Sequence, residues 1–252
     1  MTGQSLPAIP STDALAPAGR VIMLSGASRG IGLSIAQRLY EQGYTLSLGV
    51  RRMEEARMTY AGFDLDRLLL HAYDAVDPDA ATPWISATVA RFGRLDALIN
   101  NAGILRPLSL TEGDEKYLDE MWAVNVKGPF RLIREAFPHL KQAANGRIVN
   151  IASTDGKRFR DPITLGYSMT KHALMALSHA ARAEGWDAGV RVTAICPGAV
   201  DTGMIASLPG ASPAANRLAP GTISDIVAFL LQLPKNAVIA ELVVNTRLES
   251  SL

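Results

Sequence analysis

Tyr167 and Lys171 stand four residues apart in Gly166-Tyr167-Ser168-Met169-Thr170-Lys171, a stretch that reads as helix, and Ser153 lies upstream at the end of a strand-like run. Residues at i and i+4 are neighbours on one helix face, which brings a lysine ammonium close enough to a phenol to favour its ionised form. A free tyrosine, with a pKa of about 10, is a poor acid or base near neutrality; a nearby cation and a hydrogen bond from a serine hydroxyl both push that value down. The three residues therefore predict a proton shuttle, with Tyr167 as the group that gains and loses the proton. A tyrosine and a lysine at this spacing are common by chance, so their meaning depends on the elements that would hold them.

The first such element lies near the N-terminus. Arg20-Val21-Ile22-Met23-Leu24 is a short apolar run of strand type, followed by Ser25-Gly26-Ala27-Ser28-Arg29-Gly30-Ile31-Gly32 and then a helix-like stretch from Ile31 to Tyr40. Strand, glycine-rich turn and helix N-terminus form an anion site: glycines let the backbone approach a pyrophosphate, and the free N–H groups and dipole of the helix favour negative charge. Further strand-like runs at 44–50, 68–73, 95–100, 147–152, 190–196 and 238–244 alternate with helical stretches and no linker interrupts them. That alternation predicts one α/β domain with a parallel sheet covered on both faces, whose ligand sits at the carboxyl ends of the strands. Residues 1–19, with Pro7, Pro10 and Pro17, read as a flexible N-terminal extension to a domain spanning 20–252.

Composition narrows the partners. A chain of 252 residues that is 48% hydrophobic, with a formal net charge of +1, carries nothing that points to nucleic acid. The N-terminal segment has no basic start and no long apolar run, so neither a signal peptide nor a membrane anchor is expected. Cys196 is the one cysteine and reads as a buried small hydrophobe, which suits a reducing, cytoplasmic setting. His71, His139, His172 and His179 form no spaced cluster with cysteine or carboxylates, so no metal site is expected.

Gly26-x-x-x-Gly30-x-Gly32, Asn100-Asn101-Ala102-Gly103, Asn125, Ser153, Tyr167-x-x-x-Lys171 and Pro197-Gly198-x-x-x-Thr202 occur in the order and approximate spacing of the short-chain dehydrogenase/reductase family. The resemblance runs from about Arg20 to Val244 and implies a single doubly wound (Rossmann) parallel sheet of about seven strands with helices on both faces. It implies that Tyr167 is the general acid in reduction and the base in oxidation, and that Ser153 binds the same substrate oxygen. Lys171 would lower the tyrosine pKa and hold the nicotinamide ribose, and Asn125 would help hold a water that links Lys171 to solvent. An asparagine inside a helical stretch could equally mark a local kink. The same resemblance gives cofactor roles to Gly26, Ser28, Arg29, Gly30, Ile31 and Gly32 in the turn, to Asn100, Ala102 and Gly103 after the fourth strand, and to Asp74 near the adenine amine. Pro197, Gly198, Val200 and Thr202 resemble the segment that meets the nicotinamide carboxamide, and residues 203–221 the loop that covers the substrate. Two departures stand out. Ser25 replaces the usual threonine before the first glycine, and the step from Ser153 to Tyr167 is one residue longer than the commonest spacing, so Thr154 could share the serine's role.

The end of the second strand sets the expected cofactor. An acidic side chain there would grip the ribose hydroxyls of NAD, whereas an arginine accommodates a 2′-phosphate. Leu48-Gly49-Val50-Arg51-Arg52 has no carboxylate; Arg51, with Arg29 in the glycine turn, predicts NADP(H) over NAD(H). The resulting expectation is an oxidoreductase moving hydride between nicotinamide and a small carbonyl or alcohol. Its rivals are a catalytically silent dinucleotide-binding regulator and, from the ending Glu241-Leu242-Val243-Val244-Asn245-Thr246-Arg247, a dehydrogenase of serine or 3-hydroxy acids. Lys157, Arg158 and Arg160 lie between the catalytic serine and tyrosine, where they would either draw in an anionic substrate or form a solvated basic loop. Apolar-rich stretches at 114–139 and 165–184 resemble the family's paired interface helices and imply a homotetramer or homodimer.

Overall fold

The computed structural model describes residues 14–143, 145–208, 210 and 212–246. Residues 1–13 of the expected N-terminal extension lie outside them, as do Arg247 and the residues after it. Leu15 N–H donates to Gln232 O (2.9 Å), so the described part of the extension is tied to the body of the domain.

Seven strands form the sheet: β1 Val21–Ser25, β2 Thr45–Val50, β3 Leu68–Ala72, β4 Ala97–Asn100, β5 Arg147–Ile151, β6 Arg191–Pro197 and β7 Glu241–Val244. Every pairing is parallel, in the order β3-β2-β1-β4-β5-β6-β7. Strands buried on both faces need continuous apolar runs rather than alternation, and Val21-Ile22-Met23-Leu24 supplies one with every residue buried. The order reverses between β1 and β4. Two adjacent strands there send their crossovers to opposite faces, which opens a crevice at their carboxyl ends. This is the doubly wound α/β arrangement that the sequence pattern predicts.

The helices are α1 Gly30–Glu41, α2 Met53–Thr59, α3 Ala81–Phe92, α4 Lys116–Trp122, α5 Gly128–Gln142, α6 Leu165–Gly185, α7 Gly203–Ala206 and α8 Pro220–Gln232. In α1, Gly32, Ile35, Ala36 and Leu39 are buried, the 3–4 spacing of a helix with one core face, and they pack with Ile223, Val227, Leu230 and Leu231 of α8 on one side of the sheet. Trp84 and Ile85 of α3 join Leu132, Ile133, Ala136 and Leu140 of α5 on the other. Trp84 is fully buried, and its indole N–H donates to Ser47 Oγ (2.8 Å), so its one polar atom is satisfied inside the core. Truncating such a side chain to alanine costs about 3–5 kcal/mol.

Between α4 and α5 the chain passes through a π-helical segment, Ala123–Lys127, with Asn125 at its centre. Of the two readings of that asparagine, the local distortion is therefore present. The extra residue per turn rotates the side chain of Asn125 out of the regular helical register, and such bulges cluster at functional sites.

Candidate active site

The carboxyl ends of β1, β4, β5 and β6 border a cavity of about 560 Å³. One end of it is made by the glycine turn. Gly26 has φ +70°, a conformation open to glycine, and a Cβ there would lie 2.8 Å from Ala102 Cα. Ser25 Oγ accepts from the N–H groups of Asn101 and Ala102 (3.1 Å each), and Asn101 Nδ2 donates to the carbonyls of Ser25 and Gly26 (3.0 Å each). The Tyr60 hydroxyl, carried by the residue that ends α2, donates to Ala27 O (2.6 Å). The departure at Ser25 thus keeps the hydroxyl that the turn uses. Gly26, Ser28, Arg29, Gly30 and Ile31 line the cavity, together with Arg51, Asp74, Ala102 and Gly103. Gly32 does not. Its role is packing, since a Cβ would lie 2.2 Å from Gly26 O.

The donor chemistry of this end suits a dinucleotide phosphate. Arg29 occupies the N-cap of α1 and makes no side-chain cap, which leaves the first N–H groups of the helix for an anion. Arg29 and Arg51 are exposed at the cavity wall, whereas Arg52 is held by Glu55 (3.0 Å). Asn100 stands apart: it is buried in the sheet, where its Nδ2 donates to Asn150 Oδ1 (2.8 Å), and it does not line the cavity.

The other end is built by β5 and α6. Ser153 follows β5 and starts a 3-10 turn, Thr154–Gly156, in which Ser153 Oγ accepts from Asp155 N–H (3.1 Å). Tyr167 and Lys171 occupy successive turns at the start of α6, and all three line the cavity. Lys171 Nζ lies 5.4 Å from the Tyr167 ring centroid and donates to Ile151 O (2.7 Å). Thr154 is fully buried away from the cavity, so it does not share the place of Ser153. Between Ser153 and Tyr167 the chain runs through an irregular segment at 157–164.

Burial dominates the electrostatics. Tyr167 is 9% exposed and Lys171 4%. Desolvation pushes the Tyr167 phenol well above its ordinary value, with Asp155 acting in the same direction and the Ser153 hydrogen bond opposing. The lowering expected from Lys171 is not seen, and the loss of water around the phenol sets the direction. The same desolvation brings the Lys171 ammonium down to about 8, against the pull of Cys196 and Asp155. Cys196 is fully buried, as expected of a small hydrophobe, and burial pushes its thiol up to about 11.

Asn125 does not line the cavity. Its Oδ1 accepts from Ile104 N–H (2.9 Å) and its Nδ2 donates to Ile104 O (2.8 Å) and Thr170 Oγ1 (3.1 Å). It thereby fixes the segment after β4 against α6, one residue from Lys171. Pro197, Gly198, Val200 and Thr202 line the wall after β6, and Gly203, Met204, Ile205, Leu208, Gly210 and Ser212 continue it; of the stretch 203–221, no described residue after Ser212 lines the cavity.

Of the three basic residues between serine and tyrosine, Lys157 is turned to Glu241 on β7 and lies outside the cavity wall. Arg160 does line the cavity, with its Nε and Nη2 both donating to Asp155 Oδ1 (3.2 Å each). Asp155 also lines the cavity; its signal in the sequence is position alone, two residues after the serine, and the 3-10 turn carries it into the wall that holds Tyr167.

Residues 20–211 match the short chain dehydrogenase family, and the chain belongs to it. It is 39% identical over 218 residues to the agropine synthesis reductase of Rhizobium rhizogenes, covering 86% of this chain and 50% of that protein. The chain thus spans about half the length of that curated relative. An uncharacterized oxidoreductase of Staphylococcus saprophyticus is 32% identical, over 89% of this chain and 96% of its own. Among solved structures, an alcohol dehydrogenase from the archaeon Thermococcus sibiricus, complexed with 5-hydroxy-NADP, superposes with a TM-score of 0.83 at 32% identity, covering 91% of this chain and 99% of that one. Membership gives the chain the family's nicotinamide-dinucleotide-binding fold. Among the described residues, no helix is long and apolar enough to cross a membrane, and no group of three or more metal-ligating side chains is present.

Proposed function

We propose that the protein is an NADP(H)-dependent oxidoreductase of a small carbonyl or alcohol substrate, with Tyr167 as general acid and base. The observation that carries this reading is the convergence of Ser153, Tyr167 and Lys171 on one cavity whose far end presents a glycine turn, Arg29 and Arg51. A bound nicotinamide would supply or accept the hydride. Tyr167 gives its proton to the carbonyl oxygen in reduction and takes it back in oxidation, and Ser153 holds that oxygen by a hydrogen bond. A phenol kept protonated by burial is the acid form that reduction requires. Lys171, charged below about pH 8, favours the phenolate left behind. Arg51 and Arg29 hold a 2′-phosphate at the opposite end, which supports NADP(H) over NAD(H), as does the 5-hydroxy-NADP in the archaeal neighbour.

The exposed Trp122, Phe130 and Met169, on α4, α5 and α6, support a homodimer or homotetramer built on these helices. Sedimentation showing a stable monomer at micromolar concentration would remove that part of the reading. The activity is tested by NADPH and NADH consumption against aldehydes, ketones, diketones and oxo acids. Nucleotide binding without oxidation of either cofactor across the panel would instead establish the silent regulator.

A further inference from the structure

Asp155 is a carboxylate at the reacting end of the cavity that the proton chemistry does not use. It is 7% exposed and lines the cavity, and its backbone N–H donates to Ser153 Oγ (3.1 Å), which fixes its position relative to the serine. Its influence on both Tyr167 and Lys171 places the carboxylate within electrostatic reach of the reacting groups. Arg160 Nε and Nη2 both donate to its Oδ1 (3.2 Å each). Two residues of the irregular segment after it, Asp161 and Thr164, also reach the wall. Of the three charged side chains that this segment puts on the cavity, two are therefore carboxylates, and the one cation is paired. Met204, Ile205 and Leu208, after β6, give the wall an apolar stretch.

We propose that this asymmetry selects the substrate: a carbonyl compound with a hydrogen-bond-donating group, hydroxyl or ammonium, next to the carbonyl and facing Asp155, and an apolar substituent facing Met204, Ile205 and Leu208. The inference rests on reading this cavity as a carbonyl site. An alkyl group set against this carboxylate strips the hydration that Arg160 does not replace and offers no donor in return, so it is penalised. A carboxylate there meets like charge. The segment that suggested attraction of anionic substrates in the sequence thus argues against them in the fold, because Lys157 is turned to Glu241 and Arg160 to Asp155.

The test uses four ketones of nearly equal size on one scaffold: 2-hydroxyacetophenone with the hydroxyl on the side chain, its α-amino analogue, propiophenone and phenylglyoxylate. kcat/KM is measured with NADPH, and binding of the same ketones is measured by calorimetry with and without NADP⁺, for the unmodified protein, Asp155→Asn and Asp155→Leu. The hydroxy and amino ketones are expected to exceed propiophenone by at least about tenfold, with phenylglyoxylate weakest. Asp155→Asn, which keeps an acceptor and loses the charge, should erase the advantage of the amino ketone and retain part of that of the hydroxy ketone. Asp155→Leu should erase both. An advantage confined to the amino ketone in the unmodified protein would narrow the recognised group to a cation. Equal efficiency and affinity for propiophenone and the donor-bearing ketones, or a preference for phenylglyoxylate, would overturn the proposal without any variant having to fold. Turnover of all four ketones alike breaks this inference and leaves the oxidoreductase reading intact. A binding preference that depends on Asp155 with no oxidation of NADPH does the reverse.

Discussion

The two ends of the cavity are held by different physics. The glycine turn is fixed through the backbone: Ser25 and Asn101 bond to main-chain groups, Tyr60 bonds to the carbonyl of Ala27, and Gly32 leaves no room for a methyl group beside Gly26 O. The Ser153–Lys171 end is fixed by side chains taken out of water, with Lys171 on the carbonyl of Ile151 and Asp155 on Arg160. A site built on backbone geometry fails by steric change, whereas one built on buried ionisable groups fails by a change of charge or proton. The difference can be broken experimentally at either end.

The largest effect belongs to the proton. Tyr167→Phe removes a transferable hydrogen and little volume, so turnover should fall by about 10²- to 10⁴-fold. NADPH affinity, set at the other end, should change by less than about threefold; a comparable loss of binding would show that the two ends are not separable. Retention of most activity would exclude Tyr167 as the acid.

Gly32→Ala attacks the opposite end by sterics alone. The added carbon would meet a backbone oxygen at 2.2 Å, so the turn must shift. Overpacking of this kind costs about 1–3 kcal/mol, and a lowered Tm should come with at least a tenfold weaker nucleotide affinity. Full-strength binding in the variant would mean that the turn is softer than its hydrogen bonds indicate.

Arg51→Asp tests charge at the otherwise steric end. Loss of one charge-assisted contact, worth about 1.5–3 kcal/mol, and the added repulsion should reduce the NADPH-over-NADH ratio of kcat/KM by about 10- to 100-fold. Equal efficiency with both cofactors in the unmodified protein would remove Arg51 from the choice.

The smallest effect is a pH dependence of stability. Burial holds Lys171 at about 8, below its ordinary 10.5, so the unfolded chain binds more protons between those values. Stability from this group is therefore fully present above about pH 10.5 and is lost as pH falls through 8. Comparing unmodified protein with Lys171→Met, the difference in Tm should shift in favour of the unmodified protein from pH 8 to 10. A constant difference over that range would mean that Lys171 is better solvated than its carbonyl contact suggests.

How far these features were legible follows from what encodes them. Short-range geometry was readable: the turn from Ser25 to Gly32 and the helical spacing of Tyr167 and Lys171 are written in consecutive residues, and a parallel sheet follows from alternating strands and helices. Arg51 was readable for the same reason, lying at the end of β2. What escaped depended on burial or on contacts distant in the chain. The resemblance gives Asn100 and Gly32 cofactor roles, and the motif of Asn100 a part in steadying the sheet; neither lines the cavity, Asn100 bonding to Asn150 within the sheet and Gly32 lying against Gly26 O. The helical spacing predicts a lowered phenol at Tyr167, whereas burial raises it, because spacing reveals the neighbouring cation and not the loss of water around the phenol.

By itself the sequence determined a doubly wound α/β domain of the short-chain dehydrogenase family and the candidate groups for proton and phosphate chemistry, because local spacing and hydrophobic pattern carry that information. Tertiary structure alone decided which charges meet. Asp155 shares a cavity wall with Tyr167 and Lys171, Arg160 closes on Asp155, Lys157 turns to Glu241 across 84 positions of chain, and Met204, Ile205 and Leu208 add an apolar stretch to the wall. Electrostatic coupling falls with distance and grows with burial, and neither quantity exists until the chain has folded.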